Sequence, residues 1–246
     1  HIELMQGKEK YEQHLDNMFN ANTETSGREQ PDITGLIGQY AHGNEPSHHM
    51  AYLYNYVGKP HKTQKIVRQI MEEQYTSYPD GLSGNEDCGQ MSAWYVLSAL
   101  GFYSVTPGLD YYTIGTPLFE EAILNLENGN TFIINAKNVS KKNIYIQSAT
   151  LNNEKFEQSF IKHEDIMKGG SLVFNMGNTA SNWGSNSIPY SAITKNKIVS
   201  VPYFEAESQT FKDSLSVKLG SAVEGNIYYR INNGIEKMYQ EPIIIT

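Results

Sequence analysis

The stretch Gly81-Leu82-Ser83-Gly84-Asn85-Glu86-Asp87-Cys88-Gly89-Gln90-Met91-Ser92-Ala93-Trp94-Tyr95-Val96 joins a glycine-flanked acidic loop to the first turns of a helix. Ala93, Val96, Leu97 and Leu100 recur at helical spacing and Gly101 follows them, so the pattern predicts a helix with one core-facing stripe and a glycine stop. Upstream, three more stripes have the same period. Tyr11, Leu15, Met18 and Phe19 form the first, and Met50, Leu53, Tyr54 and Val57 the second, with Gly58 and Pro60 just beyond. Ile66, Val67, Ile70 and Met71 form the third. Four helices with short connections describe a bundle or a piece of a helical toroid.

Downstream of Pro107-Gly108 the period changes from helical to strand-like. Ile123 to Leu126, then Asn128-Gly129, then Thr131 to Ile134 predicts a hairpin with a type I′ turn. Ile144, Ile146, Leu172 and Phe174 extend the strand signal around a turn at Lys168-Gly169-Gly170. A further segment alternates at Leu215, Val217 and Leu219 and at Ile227, Tyr229 and Ile231, with a turn at Asn233-Gly234. The fold class is therefore α+β. Helices fill residues 1–105, an antiparallel sheet or sandwich residues 106–194, and a small immunoglobulin-like β module, truncated, residues 195–246. The opening at His1 and the strand-like run at Ile243 to Thr246 are expected of a piece cut from a longer protein.

The 246 residues are 39% hydrophobic and 19% charged, a globular composition. A net charge of −8 without a Lys/Arg cluster argues against a nucleic-acid partner. No apolar run reaches the roughly 20 residues that span a bilayer. The 17 tyrosines suit sugar contacts and strand packing equally. The lone thiol, Cys88, removes disulfide frameworks and multi-cysteine zinc sites and is expected as a small buried side chain.

Two loops concentrate polar side chains ahead of helices: His42-Gly43-Asn44-Glu45-Pro46-Ser47-His48-His49 and residues 84–90 of the opening stretch. Asn44, Glu45, Ser47, Asn85, Glu86 and Asp87 all suit helix capping, where free N–H groups and the dipole favour oxygen and negative charge. Together, the loops equally suit the rim of a site. Oxygen donors without cysteine fit a hard cation such as calcium. Zinc is the lesser alternative, because the adjacent His48 and His49 diverge and read as hydrogen-bonded wall residues. Carboxylates in a polar cleft also suit glycoside hydrolysis, with Asp87 the best-placed base.

Gly35-Leu36-Ile37-Gly38-Gln39-Tyr40-Ala41-His42-Gly43-Asn44-Glu45-Pro46-Ser47-His48-His49-Met50 and the opening stretch both resemble signatures of the family 92 α-mannosidases, glycoside hydrolases. Leu100 to Tyr103, Pro107-Gly108, Gly115 to Phe119, Ile144 to Gln147 and Lys168 to Gly170 continue the likeness. It covers roughly residues 1–185. The resemblance implies an inverting, calcium-dependent exo-α-mannosidase with an (α/α)6 toroid, acting on mannose-containing glycans and secreted or periplasmic in a bacterium. It implies Asp87 as general base, with Asn85 where some members carry a second carboxylate. Asn44 and Glu45 are implied as calcium or substrate ligands and the Arg28-Glu29 pair as a contact of the leaving sugar, while His48 and His49, as wall residues, are expected on the substrate side of the site. The residue at position 28 is His in α-1,2-specific members. The family's general acid lies upstream of His1, so these residues alone are expected to be inactive. The rival expectation is a non-catalytic carbohydrate-binding or interaction module.

Overall fold

A computed structural model describes residues 1–27, 30, 33–191, 201–208, 210–221 and 224–245. The chain divides into two compact units, His1–Tyr190 and Ser191–Thr246. In the first, helix α1 (Lys8–Phe19) buries Tyr11, Leu15 and Phe19, the stripe its spacing predicts. Strands β1 (Leu36–Ile37) and β2 (Tyr40–Ala41) pair antiparallel. Their ladder continues as the His42 and Gly43 amides donate to the Gly35 and Thr34 carbonyls, which delivers the 42–49 loop onto the helices.

Residues Met50–Val57 form a 3-10 helix, not the α-helix expected. Its burial runs almost all round, through Ala51, Tyr52, Tyr54, Asn55, Tyr56 and Val57. A three-residue period cannot keep an i, i+3, i+4, i+7 stripe on one face. It stops at Gly58, in the left-handed region at φ 77°. Pro60 then opens α2 (Pro60–Glu73), where its missing N–H has no intrahelical partner to lose. Val67, Ile70 and Met71 face the core as predicted.

Helix α3 (Gln90–Leu100) turns a different face inward from the one its aliphatic residues suggest. Met91, Trp94, Ser98 and Ala99 are buried, while Val96 is 56% exposed. The indole decides this rotation. Trp94 is fully buried and donates its Nε1–H to the His48 carbonyl at 3.0 Å, so the helix turns to satisfy both its area and its donor. Burying a large aliphatic or aromatic side chain contributes about 1.5–3 kcal/mol, more than the partial burial kept by Leu97 and Leu100.

The β layers follow. Strands β3 (Phe102–Tyr103), β4 (Tyr111–Ile114), β5 (Glu121–Asn125), β6 (Thr131–Lys137), β7 (Tyr145–Leu151), β8 (Glu154–Phe156) and β9 (Phe160–Lys162) precede the short helix α4 (His163–Met167) and β10 (Gly170–Gly177). They make a three-stranded sheet in the order β3-β4-β9 and a five-stranded sheet in the order β5-β6-β10-β7-β8. Along β6, Phe132, Ile134 and Ala136 alternate into the core. The expected hairpin pairs β5 with β6, but its turn differs. The Gly129 amide donates back to Leu126, and Gly129 is left-handed while Asn128 is not. This is a type I turn closed by a left-handed glycine, because a type I′ turn needs two consecutive positive φ values. The sheet is also not purely antiparallel: β10 runs parallel to β6, reached by a crossover through β7, β8, β9 and α4.

A polar seam joins the helices to the sheets. Asn55 Nδ2 donates to the Ile114 and Ser159 carbonyls at 2.8 and 3.0 Å. The Ile146 amide donates to Gln64 Oε1 at 3.1 Å, and the Arg68 guanidinium donates to the Pro117 carbonyl at 2.8 Å. All three side chains are buried.

In the second unit, β11 (Tyr203–Glu205), β12 (Leu215–Gly220), β13 (Tyr228–Tyr229), β14 (Lys237–Met238) and β15 (Ile243–Ile245) form a β11-β12-β15 sheet and a β13-β14 pair, all antiparallel. The alternation predicted on β12 buries only Val217. The Asn233-Gly234 turn forms, its amide donating to Ile231.

Candidate active site

The two acidic loops meet backbone to backbone. A Cβ on Gly84, whose φ is +78°, would sit 2.6 Å from the Gly43 carbonyl oxygen, and a Cβ on Gly43 would sit 2.1 Å from Thr34 Oγ1. Only glycine permits this approach, and it brings the 45 and 87 positions together. The Asp87 and Glu45 carboxyls are close enough for Glu45 to raise the pKa of Asp87. The Asp87 carboxyl is raised above its ordinary pKa, first by desolvation and then by the Glu45 carboxyl, against a lowering pull from His48.

Capping chemistry separates the carboxylates of the second loop. Glu86 accepts from the Ser92 amide and hydroxyl, both at 3.1 Å, so it caps the first turn of α3. Asp87 makes no such bond to the helix. Its backbone is left-handed at φ 52°, followed by Cys88 at 56° and Gly89 at 94°. Consecutive non-glycine residues in this region are costly, by about 1–2 kcal/mol each, and such strain concentrates at functional positions. Cys88 is exposed on this turn, not buried as the sequence suggested, because the left-handed backbone lifts it out of the helix register. In the first loop, Asn44 stands before the 3-10 turn Glu45–Ser47 without a side-chain capping bond. Asn85 is exposed beside Asp87.

Behind the carboxyls lies a floor of imidazole and aromatic rings. His42 Nδ1 lies 2.7 Å from Tyr40 Oη and its Nε2 lies 2.6 Å from Tyr75 Oη. Tyr75 directs its single hydroxyl proton to the Met91 carbonyl at 3.0 Å, so its oxygen must accept from His42. His42 is therefore neutral, protonated at Nε2, and accepts from Tyr40 at Nδ1. Burial, reinforced by the stacked His48, lowers its pKa to about 3. His48 donates from Nε2 to the His42 carbonyl at 3.0 Å and accepts at Nδ1 from the Gln90 amide at 3.1 Å. Burial lowers its pKa too. His49 is half-buried and meets the Pro46 backbone. Trp94 packs edge-on to His42 at 4.5 Å.

Oxygen donors and fully engaged imidazoles fit a hard cation better than zinc. Among the described residues no three His, Cys, Asp or Glu side chains come together as a metal cluster. Asn44, Glu45 and Asp87 would supply only part of the six to eight oxygens that calcium takes. Arg28 and Glu29 lie outside the described residues. Sequence reasoning gave no role to Gln90, Tyr40 or Tyr75. Gln90 carried a readable signal: it shares a helix face with Trp94 at i+4, which places its amide beside whatever packs on the indole.

An α+β chain in which two glycine-joined loops present opposed carboxyls above a neutral imidazole floor has the arrangement of a hydrolase site. The chain belongs to glycosyl hydrolase family 92: the model of that family's catalytic domain matches residues 2–178. It is similar to the family GH92 α-mannosidase of Bacteroides thetaiotaomicron solved with mannoimidazole, at 40% identity and a TM-score of 0.72, over 75% of this chain and 25% of that one. An inverting family GH92 mannosidase of Bacteroides thetaiotaomicron VPI-5482 matches at 38% identity and a TM-score of 0.66, over 77% and 27% of the chains. A curated protein of Arthroderma benhamiae, an uncharacterized secreted glycosidase, is 34% identical over 152 residues, 60% of this chain and 20% of that protein. The chain thus spans about a quarter of the solved structures and a fifth of the curated relative.

Proposed function

We propose that the full-length protein containing this chain is an inverting, calcium-dependent exo-α-mannosidase that removes terminal mannose from glycans, and that these residues carry the base side of its active site. The observation that carries the reading is the Glu45–Asp87 carboxyl pair, held by two loops that nothing in helix capping requires to meet. The α-mannosidase relatives support the substrate class, and the secreted relative supports an extracytoplasmic location. The helices of residues 1–105 belong to an (α/α)6 toroid in this reading, and residues 195–246 to an immunoglobulin-like module.

Inversion needs one carboxylate to take a proton from water on the face opposite the leaving group. Asp87 is assigned this role. Its raised pKa makes the carboxylate a better proton acceptor than an ordinary aspartate. Asn85, beside it, orients the water. Asn44 and Glu45 would hold the calcium, with further oxygens from outside this chain. Calcium, when bound, supplies positive charge against the mannose hydroxyls. His49, Arg28 and Glu29 contact sugar. The general acid is assigned to the part of the full-length protein beyond these residues, so the 246 residues alone release no mannose.

Mannose release from an α-mannobiose by the full-length protein tests the reading. Activity that is lost on chelation and restored by calcium is expected. Binding of mannobiose that survives chelation, with no release, would replace it with a non-catalytic carbohydrate-binding module.

A further inference from the structure

The two carboxyls are matched by a second, hidden contact. The Glu45 carbonyl accepts from the His48 amide at 3.1 Å, three residues on, and the Asp87 carbonyl accepts from the Gln90 amide at 3.2 Å, again three residues on. His48 and Gln90 then bond to each other through their side chains at 3.1 Å. Glu45, His48, Gln90 and Asp87 therefore close a ring: a carboxyl pair at the surface, an imidazole–amide pair inside, and one turn of backbone on each flank.

The inside pair is locked on all sides. His48 is 1% exposed, its Nε2–H is committed to the His42 carbonyl, and its own carbonyl accepts from the buried Trp94 indole. Gln90 has its second N–H on Tyr103 Oη at 3.0 Å, and Tyr103 stacks on Tyr52. With Nε2 protonated, only a donor fits against His48 Nδ1, and the Gln90 amide is that donor. Neither side chain is available to hold a substrate. We propose that Gln90 and His48 are positioning residues whose mutual hydrogen bond fixes the separation of the Glu45 and Asp87 carboxyls; the inference rests on the mannosidase reading of that pair.

Gln90→Met keeps the volume of the side chain and removes both donors. In the full-length protein it is expected to lower kcat at least tenfold while KM stays within twofold, since Gln90 and His48 themselves touch no substrate. A structural readout runs beside the kinetics: the exposed Cys88 thiol sits on the same left-handed turn as Asp87, and its alkylation rate should change at least threefold. Tyr103→Phe removes Gln90's other acceptor but leaves the ring closed, so it should lose comparable stability with kcat within twofold of the parent. Gln90→Asn, one methylene shorter, gives the same directions as Gln90→Met should the latter fail to fold. An unchanged kcat or an unchanged Cys88 rate in the Gln90 variant overturns the inference, as does an equal kcat loss in Tyr103→Phe. If the parent protein releases no mannose at all, the functional reading fails instead, and the Cys88 rate alone then decides whether Gln90 positions the turn.

Discussion

The loops at residues 42–49 and 84–90 look alike in sequence, each a glycine, an Asn and carboxylate ahead of a helical turn, yet they are built in opposite ways. The first is rigid because it is buried: His42 and His48 are sealed among Tyr40, Tyr75, Trp94 and Gln90. The second is exposed along most of its length and is held by backbone strain and one cap, with two non-glycine residues left-handed. One loop is specified by packing and the other by local geometry, and the site exists where they touch. Substitution of the buried His42 in the first loop should therefore act on folding, and substitution of the exposed Asp87 in the second on chemistry.

The largest expected effect is Asp87→Asn in the full-length protein. Loss of the proton acceptor should lower kcat by roughly 10²- to 10⁴-fold, with the melting temperature unchanged because the side chain is exposed and caps nothing. Acid should expose the contrast next. His42 folds with its pKa lowered to about 3 against 6.5 unfolded. Between those values the unfolded chain binds the proton that the folded chain refuses, so stability is fully present above pH 6.5 and is lost as pH falls toward 3. At about 1.4 kcal/mol per unit the loss is at most on the order of 5 kcal/mol. Denaturation midpoints followed against pH should fall across this window, and His42→Gln should flatten the slope.

Gly84→Ala attacks the junction itself. The added Cβ meets the Gly43 carbonyl and strains a positive φ, for a cost of about 1–3 kcal/mol, read as a lowered midpoint together with reduced kcat. Smallest is Glu86→Ala, which removes a capping acceptor. It should lower stability by about 1 kcal/mol and leave kcat within twofold, which would separate the capping carboxylate from the chemical one a single residue away.

Much of this was legible. The α1 and α2 stripes, the β5–β6 hairpin and the two polar loops could be read because each depends on residues close in sequence. The α3 face was misread because four aliphatic residues outnumbered one indole, although the indole's area and donor decide the rotation. The parallel β6–β10 pair is set by a crossover of more than thirty residues, which no local pattern records. At the site, residue types suggested a hard cation and a base, but both loops equally suited capping. Separating Glu86 from Asp87 required the Ser92 bonds, and Gln90 acquires meaning only once His48 lies beside it.

The seam of Asn55, Gln64 and Arg68 bears on where this protein can be divided. A protease or a truncation acting between α3 and β4 would separate groups that share no sequence neighbourhood but satisfy one another in the interior. Each half would expose carbonyls shaped to receive an amide or a guanidinium, along with the apolar surface around them. The break between helices and strands, so plain in the hydrophobic pattern, is thus no seam for dissection: halves cut there should precipitate, whereas a cut between Tyr190 and Ser191 should leave the first unit folded.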